Sequence, residues 1–199
     1  MGRRLALLAV AAAAAALPAA GGAGNPSLTR LRIGDAVDVL GTRIACFAIT
    51  SNSKDGIACL LWKGGKVLPS SFGVGLAVDG TAVVNRIDAK GNSTKVWKKR
   101  LPASRGAASG KVYKIGVGGG FGIPVSSEVV LGCEVLNVTS TAVEPLYRGV
   151  KVSCWPATAT KAVPNRYGVS ISDRFAGVFK ITPQGSMSTW GYVKRQPAP

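Results

Sequence analysis

Ser51-Asn-Ser53-Lys54 is the first place in this 199-residue chain where residue types and spacing could do chemistry. The Ser-x-x-Lys spacing lets a lysine amine help activate a serine hydroxyl with no histidine involved. Its companions, Ser-Asp-Asn and Lys-Thr-Gly, are absent, and the segment reads as a loop before Asp55-Gly56 rather than a helix start. Gly116-Val-Gly118-Gly119-Gly120-Phe-Gly122 has the composition of a phosphate loop. Neither the dinucleotide spacing nor Gly-Lys-Ser/Thr is met, and no helix is expected after it to hold an anion, so it reads as a bent strand connection. Paired carboxylates could hydrolyse glycosides without histidine, but the close pairs are only Asp35 with Asp38 and Glu128 with Glu134. On a strand the first pair points to opposite faces and the second lies about 20 Å apart on one face. The chain has no His, which removes the usual neutral-pH base, the Ser-His-Asp and Cys-His systems and every His-containing metal site. No catalytic residue, metal site or cofactor is expected.

Positive charge is the stronger signal. The chain holds 25 Lys plus Arg against 9 Asp plus Glu, a formal charge of +16. Two segments combine basic residues with rings: Trp97-Lys98-Lys99-Arg100, and Trp190-Gly-Tyr192-Val-Lys194-Arg195. Lys98, Lys99, Arg100, Lys194 and Arg195 are the candidate anion-binding residues, and Trp97, Trp190 and Tyr192 are candidates for stacking on sugar or base rings. Arg30, Arg32, Lys111 and Lys114 extend the first cluster in sequence. The expected partner is an anionic cell-envelope polymer or another extracellular polyanion, bound less tightly as salt rises. Sequence-specific nucleic-acid binding is not expected.

That partner is extracellular because of how the chain begins. A cationic head at Met1 to Arg4, an apolar run from Leu5 to Leu17 and small residues from Pro18 to Ala23 have the order of a secretory signal peptide, assigned to 1–23. The run is too short to span a bilayer, which needs roughly 20 residues. No later segment is longer and apolar, so no stable membrane span is expected. Cleavage removes Arg3 and Arg4, and +16 less those two leaves +14. The charge therefore belongs to the exported protein, expected in the medium or the cell envelope. Of the residues 47% are apolar and 17% charged, a globular balance.

The sequence repeats itself. Pro69-Ser-Ser-Phe72-Gly73-Val74-Gly-Leu76 is echoed by Pro164-Asn-Arg-Tyr167-Gly168-Val169-Ser-Ile171. Downstream, Ala82, Val84, Arg86, Ile87, Gly91 and Trp97 match Ala176, Val178, Lys180, Ile181, Gly185 and Trp190, and upstream Arg32-Ile33-Gly34 matches Lys114-Ile115-Gly116. One unit is placed at 31–100 and a second at 113–195, joined by a linker at 101–112 rich in Pro, Gly and small residues. Apolar residues recur every second position, as in Ile44-Ala-Cys46-Phe-Ala48 and Val129-Val-Leu131-Gly-Cys133-Glu-Val135. Turn signals fall at Asp55-Gly56, Gly64-Gly65, Asp79-Gly80 and Gly91-Asn92. The expected fold is all-β: two tandem repeats of a small sandwich- or barrel-like unit, each with one disulfide, after a cleaved helical signal peptide.

In an exported chain Cys46, Cys59, Cys133 and Cys154 read as disulfides, with three pairings open. The absence of a Cys-x-x-Cys knuckle disfavours zinc. A unit of about 70 residues buries only about 60% of its unfolded surface, so a staple in each is useful. This favours Cys46 with Cys59 and Cys133 with Cys154. Trp62 and Trp155, close after the second Cys of each pair, are expected beside the bridges.

Gly41-Thr-x-Ile-x-Cys46, Gly56-Ile-x-Cys59 and the Phe/Tyr-Gly-Val-x-Leu/Ile elements, together with the signal peptide, resemble exported actinobacterial proteins of unknown function with small disulfide-containing β domains. The resemblance implies the address and fold class and brings no site residues. Three functions follow as alternatives: a non-catalytic polyanion binder, a structural or protein-interaction module, or a His-free hydrolase. Asn92-Ser-Thr94 and Asn137-Val-Thr139 are glycosylation sequons in a eukaryotic secretory pathway.

Overall fold

A computed structural model describes residues 28–51, 54–90, 93–98, 110–138, 149–158, 161–185 and 187–194. The expected signal peptide and all but the end of the expected linker lie outside them. Every regular element described is a strand, in two sheets. The first sheet holds, in spatial order, β8 (Ser93–Lys98), β7 (Ala82–Ile87), β6 (Ser71–Ala77), β4 (Lys54–Lys63), β3 (Ile44–Ser51), β2 (Ala36–Val39) and β9 (Val112–Ile115), with β5 (Lys66–Val67) paired to β4. The second holds β15 (Met187–Lys194), β14 (Phe175–Ile181), β13 (Tyr167–Ser172), β12 (Gly149–Ala157), β11 (Val130–Val138), β10 (Gly120–Pro124) and β1 (Leu28–Arg30).

The sheets share one layout and exchange their outermost strands. β1 pairs in parallel with β10 of the second sheet, and β9 pairs in parallel with β2 of the first. Each then turns and crosses to the opposite layer. Gly34 N–H donates to Ala48 C=O in one crossing turn, and Gly118 N–H donates to Val135 C=O in the other. Both glycines have positive φ, at 95° and 84°, where a Cβ would be strained. This fixes the repeat register differently from the sequence match. Leu31, not Ile33, corresponds to Ile115: both are buried, whereas Ile33 sits exposed at the turn. The slip arose because Arg30-Leu31 and Arg32-Ile33 resemble Lys114-Ile115 equally well in residue type.

The two layers enclose one core. It contains Val37, Ile44, Phe72 and Val74 from the first sheet and Phe121, Leu131, Val169 and Val178 from the second. Cys46–Cys59 and Cys133–Cys154 form disulfides within it, each joining directly opposed residues of an antiparallel pair. The preferred pairing is therefore present, with one bridge per sheet. Strands β2 to β8 with β9 form one layer and strands β10 to β15 with β1 form the other, so the sandwich arises from both halves of the chain.

Two local expectations are corrected. Asp55-Gly56 does not form a turn; it lies within β4, opposite Thr50 and Ile49, and the chain reverses between Ser51 and Lys54. Gly56 is needed there for close approach, since a Cβ would stand 2.7 Å from the Leu76 carbonyl oxygen. Neither indole packs beside its bridge. Trp155 follows Cys154 directly, so alternation sends it to the outer face, where it is buried with Phe179 and Ile181. Trp62 likewise leaves the core and meets Phe47 edge to face at 5.4 Å.

Candidate functional site

The sequence-predicted basic segments form the last strand of each sheet. In β8, Trp97 pairs with Val84 and Lys98 with Val83; Lys99 and Arg100 lie outside the described residues. In β15, Tyr192 pairs with Gly177 and Lys194 with Phe175; Arg195 lies outside them. The bulges that interrupt these ladders occupy matching places, between Val84/Asn85 and between Val178/Phe179. Trp190 falls within the second bulge and Gly191 pairs with Val178, so Trp97 corresponds to Gly191 rather than to Trp190.

β15 lies against β7, the strand that carries β8, so both basic strands stand at one edge of the sandwich. Arg166, just before β13, approaches Gly80 in the turn between β6 and β7, with its Cδ 3.5 Å from the place of a Cβ there. β13 therefore begins where β6 ends. Lys98, opposite Val83, stands towards that end of the edge, and Lys194, opposite Phe175, towards the other. An ion pair joins Lys54 to Asp79 in the same region, and hydrogen bonding from Lys54 helps hold the Asp79 carboxyl below its ordinary range despite desolvation.

Sequence reasoning missed a polar row on the outer face of the second sheet. Across neighbouring strands the register runs Glu134, Ser153, Ser170, Gly177, Tyr192. Ser153 and Ser170 are buried, at 4% and 7% exposure, and their hydroxyl oxygens are 2.8 Å apart. Glu134 is half-buried, and burial pushes its carboxyl up. The first sheet carries Phe47, Ala58, Gly75 and Val83 in the corresponding row. A carboxyl that keeps its proton to higher pH can donate or accept, yet the serines already bond each other out of solvent. Alternation with Val152, Cys154, Val169 and Ile171 places both serines on the outer face, but their burial has no sequence signal.

The remaining candidates have structural occupations. Ser51 pairs with Lys54 across the β3–β4 hairpin, and Lys54 is engaged by Asp79. The glycine run forms a crossing turn and β10, with no helix after it. Asp35 is buried; its carboxylate accepts N–H groups from Arg32 at 2.8 Å and from Lys111 at 2.9 Å. The Arg32 bond foremost holds that carboxyl below its ordinary range, against desolvation. Asp38 is exposed opposite Lys114, and Glu128 lies in the loop before β11. Among the described residues no group of three or more His, Cys, Asp or Glu could hold a metal, and no helix is long and apolar enough to cross a membrane. The disulfides are compatible with an extracellular location.

No protein-family model matches this chain, and no curated protein matches it. A solved structure of a protein from Lactobacillus plantarum is similar at 13% identity with a TM-score of 0.23. The likeness covers 83% of this chain, which spans 56% of that one.

Proposed function

We propose that this is an exported, non-catalytic β protein that binds an anionic polymer of the cell envelope or extracellular space along the edge formed by β8 and β15. The observation that carries this reading is the common placement of the two strands, which the sequence alone left undetermined. Lys98, leading into Lys99 and Arg100, stands towards one end; Lys194, leading into Arg195, stands towards the other. Six residues of β8 extend about 20 Å. Charges spread over that length suit a chain-like polyanion better than a small anion. The Lys and Arg excess supplies attraction at longer range.

The test is retention on an anionic column and binding to a soluble polyanion across a salt series. Neutralising Lys98, Lys99, Arg100, Lys194 and Arg195 together to Gln should lower the salt needed for elution. It should also flatten the slope of log affinity against log salt, by about 0.7 for each polymer charge no longer neutralised if the polymer behaves like a single-stranded polyanion. Unchanged retention would remove this edge from the binding surface. Saturable binding of a protein partner that survives high salt would favour an interaction module. An activity that disappears with a single Ser or carboxylate substitution in a folded protein would favour a hydrolase.

A further inference from the structure

We propose that the β9 edge of the first sheet, at the opposite side of the sheet from β8, docks on the surface of an anionic lipid bilayer. Among the described residues the exposed large apolar side chains are Ile33, Leu40, Val112 and Val117, at 45% to 63% exposure. Single exposed apolar residues are ordinary, but these four are gathered in one place by the strand exchange. Ala36 pairs with Val112, and Gly110 N–H donates to Gly34 C=O, which fixes the Ile33 turn at the start of β9. At the other end Leu40 N–H donates to Ile115 C=O, and Leu40 Cδ1 lies 3.9 Å from the place of a Cβ on Gly116, beside Val117. The four-residue strand between the two apolar pairs is about 13 Å long.

Cations alternate with these side chains. Arg32 adjoins Ile33, Lys111 precedes Val112, and Lys114 shares the outer face with Val112; all three are exposed. Of the nearby acids, Asp35 is buried and turned to the Arg32 and Lys111 backbone, while Asp38 faces Lys114 and offsets one charge. Isolated apolar tips between basic side chains match a membrane interface, where the tips enter the acyl boundary and the basic groups reach lipid phosphates. Charge decides against a second copy of this chain as the occupant: pairing two β9 edges would set Arg32, Lys111 and Lys114 against their own kind. This inference goes beyond polymer binding and uses different residues.

Flotation of the full chain with vesicles tests it, comparing equal parts phosphatidylglycerol and phosphatidylcholine with phosphatidylcholine alone. Two variants are compared with the parent: Ile33→Ser, Leu40→Ser, Val112→Ser and Val117→Ser together, and Arg32→Gln, Lys111→Gln and Lys114→Gln together. Each basic residue near an anionic bilayer accounts for a factor of about five, so the Gln variant should lose tenfold or more of the partition into the mixed vesicles, and the serine variant should lose partition into them through the apolar area it no longer buries. All seven side chains are exposed, and unchanged circular dichroism confirms that the fold survives. The leader is common to parent and variants, so binding that persists undiminished in the serine variant belongs to it and overturns the proposal. A parent that dimerises by light scattering, with the serine variant monomeric and vesicle binding unchanged, overturns it in favour of self-association. The serine variant should keep its retention on the anionic column, and the β8–β15 variant should keep its vesicle binding, so failure of either reading is seen separately.

Discussion

Removing one disulfide measures whether the two layers are one cooperative body. Cys46 and Cys59 are directly opposed on β3 and β4, with Cα atoms 4.0 Å apart and a sequence separation of 13; Cys133 and Cys154 repeat this on β11 and β12 with a separation of 21. In the chain-entropy account each closed loop is worth about 3 kcal/mol, and the longer loop adds only a few tenths because the dependence is logarithmic. The four sulfurs lie in one core with residues from both sheets. The double substitution Cys46→Ala with Cys59→Ala should therefore lower the stability of the whole body by about 3 kcal/mol. For a chain of this size that corresponds to a thermal midpoint about 6–12 °C lower. Thermal and urea unfolding give the global value, and amide hydrogen exchange reads each strand. Loss of protection in β11 and β12 should equal that in β3 and β4. Two separate transitions, or undiminished protection in β11 and β12, would refute the shared core as the unit of stability.

Asp35 and Glu134 give opposite pH behaviour. The Asp35 carboxyl is depressed in the folded state, so its contribution is present above its ordinary value of 3.8 and is lost as pH falls through the lower folded value. Asp35→Ala should cost about 1–3 kcal/mol at pH 7 by leaving the Arg32 and Lys111 N–H groups without their acceptor, and its denaturation midpoint should depend less on pH in strong acid than the parent's. Glu134 is raised from 4.5 by burial, so the parent loses stability as pH climbs from that value through the folded one. Glu134→Gln should raise the urea midpoint at pH 7, with the gain disappearing below about pH 4; an equal gain at both pH values would remove the desolvation argument. Gly168→Ala should destabilise by about 1–3 kcal/mol or more, because the new Cβ would meet the Phe179 ring and stand 2.7 Å from the Cys154 carbonyl oxygen. Gly73→Ala, at the matching place, meets the Cys59 carbonyl oxygen at 3.2 Å and the Leu60 Cβ at 3.4 Å and should cost less in the same calorimetric comparison.

Much of the fold was legible because it is locally encoded. Ile44 to Ala48 and Leu131 to Val135 alternate between core and outer face as their period of two implies. Gly64-Gly65 forms the expected turn, with φ of 59° and 80°. The left-handed Ser70 and Asn165, at 50° and 56°, fall at matching places of the Pro69 and Pro164 motifs. Asp55-Gly56 misled because a glycine demanded by a neighbouring backbone looks the same in sequence as one demanded by a turn. The candidate site was legible only as residue types. Lys98 and Lys194 announce charge, but neither strand indicates where the other will lie. The polar row through Glu134, Ser153 and Ser170 escaped because its burial depends on neighbours from several strands.

Alternating apolar residues and paired cysteines determined by themselves that this chain is all-β with disulfide-joined strands, because each signal acts over a few residues or within one hairpin. Which layer β1 and β9 would join was decided only by the tertiary structure. Strands of three and four residues carry too little pattern to name a partner, and their choice is made by Leu31 and Ile115 entering the shared core while the crossing turns close their hydrogen bonds. That exchange is also what gathers Ile33, Leu40, Val112 and Val117 at one edge, a surface written in four separate places along the chain.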